Sequence, residues 1–328
     1  MAKKRILSGM RPTGKLHIGH YVGALENWVK LQNSGDYENY HLIADYHVLT
    51  TNLNSEDIYQ LSIEMVIDWL SCGIDPEKSP MFRQSMVKEH TELFLIFSML
   101  ITKARLERNP TLKEQVRDLE LDNITLGYLG YPVLQAADIL LYKGNCVPVG
   151  EDQVPHVEIT RDIARKFNQQ YGEVFPEPES LLTTFSRLPG LDGQAKMSKS
   201  LNNTILLSDD PDTIKLRLRK AVTDPQKVRK NDPGRPEVCS IFTYQKKFNP
   251  EIIEEIETGC KSGALGCVDC KMKCADKLNI FLSPFLEIRK HYENKIDDVK
   301  SILLEGEKKA RLLAESTMKE VHNKMKLG

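Results

Sequence analysis

Four groups of residues have the types and spacing to do chemistry. The first is His17-Ile18-Gly19-His20, preceded by a loop holding Gly9, Pro12 and Gly14. Glycine lets the backbone approach a phosphate, a helix start offers free N–H groups to an anion, and two imidazoles add donors for developing charge. A histidine at a helix start is also often a plain cap or a packed side chain, so these residues alone leave both readings open. The second group is Pro189 to Ser200, P-G-L-D-G-Q-A-K-M-S-K-S, which is either a cationic loop suited to polyphosphate or a solvated surface loop. The third is Asp138, set in the run Tyr131 to Tyr142 that is apolar except for Gln135 and Asp138 itself. A carboxylate there is costly to bury unless something binds it; the alternative is that it caps a turn or faces water. The fourth is a cysteine cluster. Five of the seven cysteines (Cys239, Cys260, Cys267, Cys270 and Cys274) lie within 36 residues, and in a chain without a secretion signal this argues for metal rather than disulfides.

These residues need elements to position them. Arg5 to Ser8 reads as a strand running into a helix that begins near Leu16. Tyr40 to Ala44 reads as a second strand, ending at Asp45-Tyr46-His47, and Ser55 opens a helix carrying Leu61, Met65, Ile67, Trp69 and Leu70. Pro80 to Gln84 gives a third strand and 88–101 a helix. Val147 to Val149 gives a further strand with Gly150-Glu151-Asp152-Gln153 at its end, followed by a helix over Val154 to Tyr171 and a proline-rich loop, Phe175 to Glu179. The alternation predicts an α/β fold, a Rossmann-type doubly wound parallel sheet whose ligands gather at the carboxyl ends of its strands. The remainder reads as helical, with Pro211 at a first helical position. A late stripe (Val299, Ile302, Leu303, Ala310, Leu313, Ala314, Val321 and Met325) packs into a core. The expected division is a catalytic domain over 1–205 and a helical domain over 206–328, with the last helix free to pack back on the first.

Composition bounds the function. With 328 residues, 41% hydrophobic and 28% charged, the chain reads as an ordinary globular protein. No apolar run approaches the roughly 20 residues of a membrane span, and no signal peptide is evident, so the expectation is a cytoplasmic protein without a membrane partner. The net charge of −1 hides a local excess of ten Lys/Arg over three Asp/Glu between Lys215 and Lys247, which suits a polyanion or a solvated helix face.

An early H-x-G-H on a first helix together with a late K-M-S-K-S resembles the class I aminoacyl-tRNA synthetases. G-E-D-Q and Y-P-V-L-Q-A-A-D-I-L-L-Y are similar to the tryptophanyl members, whereas typical tyrosyl relatives have G-G-S-D-Q and K-F-G-K-S. The resemblance covers essentially the whole chain and implies L-tryptophan, ATP with Mg²⁺, and tRNA(Trp) as ligands, the helical domain as anticodon reader, and a homodimer formed through an insertion at about 85–145. It implies phosphate-handling roles for His17, His20, Lys113, Lys196 and Lys199. It further assigns ATP contacts to Arg11, Thr13, Gly19, Gly150, Asp152, Met197 and Ser198, and a tryptophan pocket to Leu7, Ala44, His47, Tyr131, Gln135, Asp138 and Gln153. Asp138 would accept the indole N–H. Many bacterial relatives have glutamine at the position of Arg11 and methionine at that of Gln135. A subset carries a cysteine quartet similar to Cys239, Cys260, Cys267 and Cys270 (C-x20-C-x6-C-x2-C) that holds a 4Fe-4S cluster; structural zinc is the alternative, and Cys274 takes part or stays free. A nucleotidylyltransferase or a silent, RNA-binding paralogue would share parts of this pattern, but the first needs no basic helical domain and the second typically loses signature residues.

Overall fold

The computed structural model describes residues 3–118, 123–182, 188–193, 197–199 and 201–327. Five parallel strands form one sheet: β1 (Lys4–Met10), β2 (Tyr37–Ile43), β3 (Met81–Arg83), β4 (Cys146–Val149) and β5 (Glu179–Leu182), in the order β3-β2-β1-β4-β5. Ile6, Leu7 and Ser8 are buried in succession on β1, and β4 is buried along its length, as in strands covered on both faces. The expected doubly wound parallel sheet is therefore present. β5 is an addition: its four residues, E-S-L-L, directly follow the proline-rich loop and have no alternation that marks a strand. The chain lays β2 and β3 on one side of β1, then crosses to β4 and β5 on the other. This reversal opens a crevice at the carboxyl ends of β1 and β4.

The chain divides into two compact units, one of residues 1–14, 26–184 and 294–328, the other of 15–25 and 185–293. In the first, Phe82, Phe97, Tyr142 and Phe167 form a core with Ala310, Ala314, Met318 and Val321 of the last helix, Ile296–Met325. That helix lies so close to β3 that a Cβ on Gly306 would overlap the Met81 carbonyl oxygen. Beside it, Arg83 Nε donates to the buried Glu307 carboxylate at 2.6 Å.

In the second unit, helices Pro211–Lys220, Ser240–Phe248 and Cys267–Glu293 bury Ile214, Leu218, Ile241, Tyr244, Leu278 and Leu282. Pro211 is at the first helical position, as expected, and the Asp210 carboxylate caps the helix by accepting the N–H groups of Asp212 and Thr213, both at 3.0 Å. The opening helix starts at Ile18 and widens into a π turn over Tyr21–Leu25 before Glu26–Ser34; no sequence period announces that turn. Tyr21, at its start, packs edge-on against Phe281 at 5.4 Å.

Gly306→Ala should force the last helix off β3. The expected loss is about 3 kcal/mol, typical of severe overpacking, and would be read as a lower urea midpoint with an unchanged m-value.

Candidate active site

The first unit holds a cavity of about 240 Å³ where β1, β2 and β4 end. Leu7 to Arg11 line it from β1 and the loop beyond, Ala44 and His47 from the end of β2, and Gln153 from the turn after β4. The helix Leu126–Leu141, started by the Thr125 hydroxyl accepting the Tyr128 N–H, supplies Tyr128, Tyr131, Gln135 and Asp138 at intervals of three or four, all on one face. Each residue that the resemblance assigns to tryptophan thus lines one cavity.

Asp138 is 3% exposed, which removes the solvent-facing alternative. Its Oδ1 accepts from Gln84 Nε2 at 2.7 Å and is paired with His90 Nδ1 at 2.7 Å, while Oδ2 is paired with His47 Nε2 at 3.0 Å. Burial pushes the carboxyl up, but the hydrogen bonds and charges of His47 and His90 outweigh it and hold it down at about 2. The cavity wall therefore carries a buried, ionised acceptor. A second network steadies Tyr131. Asn109 Oδ1 accepts the Thr111 N–H, so its Nδ2 faces and donates to His156 Nδ1 at 2.9 Å. His156 Nε2–H is left to donate to the Tyr131 hydroxyl at 3.0 Å, which in turn donates to Gln115 at 2.9 Å. Burial lowers His156 to about 4 and raises Tyr131 well above 10, so both are neutral. Gln84, His90, Gln115 and His156 were not among the sequence-derived candidates; the signal available was a polar side chain amid buried helical positions, which does not separate a site from a satisfied core.

Arg11 is exposed at the cavity edge, with Nη1 3.4 Å from the Thr51 hydroxyl. Thr13 is exposed on the same loop, its N–H donating to the Arg11 carbonyl at 2.9 Å. Gly150 precedes the turn Glu151–Gln153, where Gln153 Nε2 donates to Asp152 at 3.1 Å. Lys113 is exposed on Pro110–Asp118 and does not line the cavity.

In the second unit the first signature meets Met197 of the second. His17 bridges Leu206, the Ile18 N–H donates to the Ile205 carbonyl at 2.8 Å, and the Leu207 N–H to that of Leu16 at 2.9 Å. His20 Nδ1 accepts the His17 N–H at 3.1 Å, with the two rings 3.7 Å apart. A Cβ on Gly19 would fall 2.9 Å from the His17 ring and 3.1 Å from Met197 Sδ, so a side chain here would have to displace one of them. Met197 is buried, the Ser198 N–H donates to Asn203 Oδ1 at 2.7 Å, and Lys199 accepts the Asn202 N–H on its carbonyl at 3.0 Å. Lys196 and Ser200 lie outside the described residues.

The cysteines come from three places in that unit: Cys239 just before Ser240–Phe248, Cys260 in Ile253–Ser262, and Cys267 and Cys270 in the first turn of Cys267–Glu293. Burial first, and then the charges of Cys239, Cys260 and Cys267, push the Cys270 thiol up to about 11 against a hydrogen bond from Gln245. The mutual effect means that the four thiols share one neighbourhood. Among the described residues no group of three or more His, Cys, Asp or Glu is arranged to hold a single metal ion. Cys274 is fully buried, and burial drives its thiol far up; Cys72 and Cys146 are buried core residues as expected.

The family profile for tRNA synthetases class I (W and Y) matches residues 2–283. The tryptophan–tRNA ligase of Thermotoga maritima is 49% identical over 329 residues, covering 98% of this chain and 99% of that protein. That of Aquifex aeolicus is 43% identical over 396 residues, covering 98% and 100%. The crystal structure of tryptophanyl-tRNA synthetase from Campylobacter jejuni complexed with ADP and tryptophan superposes with a TM-score of 0.86 at 36% identity, over 98% of this chain and 99% of that one.

Two pH windows follow from these groups. Burial also lowers His41, to about 3, so His41 and His156 stay neutral when folded and take up protons when unfolded. Stability should be full above their ordinary value of about 6.5 and fall as the pH drops toward 4. Asp138 is lowered, so its contribution is present above the ordinary carboxylate value and lost between about 4 and 2. That second loss should be about 2 kcal/mol and missing from Asp138→Asn, as measured by urea unfolding at each pH.

Proposed function

We infer, for a chain that belongs to the class I tRNA synthetases (W and Y), that its amino acid is tryptophan and that it charges tRNA(Trp). The observation that carries this is Asp138, a buried, ionised carboxylate that lines the cavity and whose Oδ2 pairs with another lining residue, His47. An indole N–H fills the acceptor site that His47, His90 and Gln84 leave, whereas a phenyl ring leaves that site empty; sites built on such a bond discriminate by up to roughly 10⁴–10⁵. Full-length relatives that are tryptophan–tRNA ligases support tryptophan over tyrosine.

The reaction has two steps. The tryptophan carboxylate attacks the α-phosphorus of ATP, and pyrophosphate leaves. A ribose hydroxyl of the terminal adenosine of the tRNA then attacks the acyl carbon, and AMP leaves. The first nucleophile is already ionised, so catalysis is alignment and charge stabilisation rather than proton removal. Tyr131 and Gln153 hold the amino and carboxylate groups, with Gln135 and His47 beside the indole. Arg11, Thr13, Gly150 and Asp152 serve ATP from the first unit. His17, His20, Lys196 and Lys199 stabilise the phosphates, joined by Lys113, and Gly19 and Met197 with Ser198 receive the nucleotide. Mg²⁺ accompanies the ATP on its own phosphates and waters.

Cys239, Cys260, Cys267 and Cys270 would hold a 4Fe-4S cluster, since four closely coupled thiols need positive charge to ionise together. Such a cluster supplies a cross-link rather than redox catalysis. The residues themselves belong to three segments near Lys227, Arg229 and Lys230 in sequence, in a basic stretch that supports reading 206–328 as the anticodon-binding part. A homodimer through 85–145 is supported by exposed Leu95, Met99 and Leu126 in that segment. The setting is cytoplasmic; no helix among the described residues is long and apolar enough to cross a membrane.

ATP–pyrophosphate exchange should depend on tryptophan and not on tyrosine or phenylalanine, and Asp138→Asn should lower it at least ~100-fold, the scale of a charged hydrogen bond lost; exchange driven by tyrosine refutes the assignment. Anaerobically purified protein should be brown with about four iron atoms per chain. One zinc and no colour would replace the cluster with structural zinc.

A further inference from the structure

Asp138 owes its direction to residues that never reach the cavity. His90, Tyr142 and Gln84 are each 0% exposed, and none of them lines it. We propose that His90 and Tyr142 are positioning residues for amino-acid recognition, which leave Asp138 one acceptor site on its cavity side; this rests on reading Asp138 as the indole acceptor.

The direction of each hydrogen bond can be worked out. The Tyr142 hydroxyl lies 2.8 Å from His90 Nε2, its one hydrogen-bond partner among the described residues. A buried hydroxyl hydrogen needs an acceptor, so Tyr142 donates, Nε2 accepts, and Nδ1 is the nitrogen that presents its hydrogen to Asp138. That proton is donated to Asp138 Oδ1 at 2.7 Å, alongside Gln84 Nε2 at 2.7 Å. A carboxylate oxygen accepts about two hydrogen bonds, so Oδ1 is filled. Oδ2 receives His47, a cavity-lining residue, and has room for one more donor. Tyr142 is itself held by stacking on Tyr40 at 5.5 Å and packing on Phe82 at 5.0 Å, while its carbonyl accepts Arg5 Nη1 at 2.9 Å. The sheet thereby sets the hydroxyl, the hydroxyl sets the ring, and the ring sets the carboxylate.

The test uses the full-length protein, tryptophan, and the analogue with sulfur in place of the indole N–H, the latter as an inhibitor of exchange. Tyr142→Phe keeps the shape but strands Nε2, so the ring either buries a bare nitrogen or takes up a proton, and the Oδ1 bond changes either way. The KM for tryptophan should rise about 10-fold with kcat nearly unchanged, and His90→Leu should raise it about 10- to 100-fold, while the analogue's inhibition constant stays put. His90→Asn places an amide N–H where Nδ1 stood and should restore most of the affinity; in that background Tyr142→Phe should add nothing. General loosening of the core would weaken both compounds together. Equal changes for tryptophan and analogue, or none for Tyr142→Phe, would overturn the proposal while tryptophan-dependent exchange by the parent still stands; tyrosine-dependent exchange by the parent would overturn both.

Discussion

The first unit is organised around the burial of a negative charge. An ionised carboxylate in an apolar wall costs several kcal/mol unless donors replace its water. The donors to Asp138 come from three separate segments: His47 after β2, Gln84 after β3, and His90 in the helix Glu89–Ser98. Satisfying one side chain therefore fixes the ends of two strands and the packing of two helices against each other. Asp45 repeats the arrangement nearby, accepting the Ser85 N–H at 2.9 Å and the Ser85 hydroxyl at 2.5 Å, which ties the same two strand ends a second time.

The neighbouring network follows the same principle with neutral groups. Asn109, His156, Tyr131 and Gln115 form a chain in which each hydrogen has one direction, because Asn109 Oδ1 is already engaged by a backbone N–H. Burial keeps His156 uncharged, so Tyr131 lies beside a dipole rather than a cation. Both networks converge on one helix face, through Tyr131 and Asp138, seven residues apart and therefore stacked about two turns along the axis. One stretch of the cavity wall is thus polar and neutral, and another carries the buried negative charge of Asp138.

The second unit depends on backbone pairing between distant segments. The strand-like contact of Leu16 to Ile18 with Ile205 to Leu207 accompanies the approach of Gly19 to Met197, where an added Cβ would press on the His17 ring and on Met197 Sδ. Asn203 anchors the far side, joining the Ser198 N–H to the Asp192 carboxylate at 3.0 Å. Nearby in sequence, though not in role, the cysteine segments converge from two helices and a helix approach, where burial first and then neighbouring thiols push Cys239, Cys260 and Cys270 up.

Much of this was legible in the residues. Hydrophobic runs alternating with helical stripes specified a parallel α/β sheet, because strands covered on both faces must be apolar throughout. The two signatures pointed to the family whose profile the chain matches, because that family carries both at short, fixed spacings. The helix face carrying Tyr131, Gln135 and Asp138 was implicit in their three- and four-residue spacing. What only the tertiary structure decided was partnership. Whether Asp138 faced water or a cavity, which donors met it, that Gly306 must touch Met81, and that β5 pairs with β4 all depend on contacts between residues tens to hundreds of positions apart. Local propensity carries no information about such contacts, because their energy arises only when the chain has closed around them.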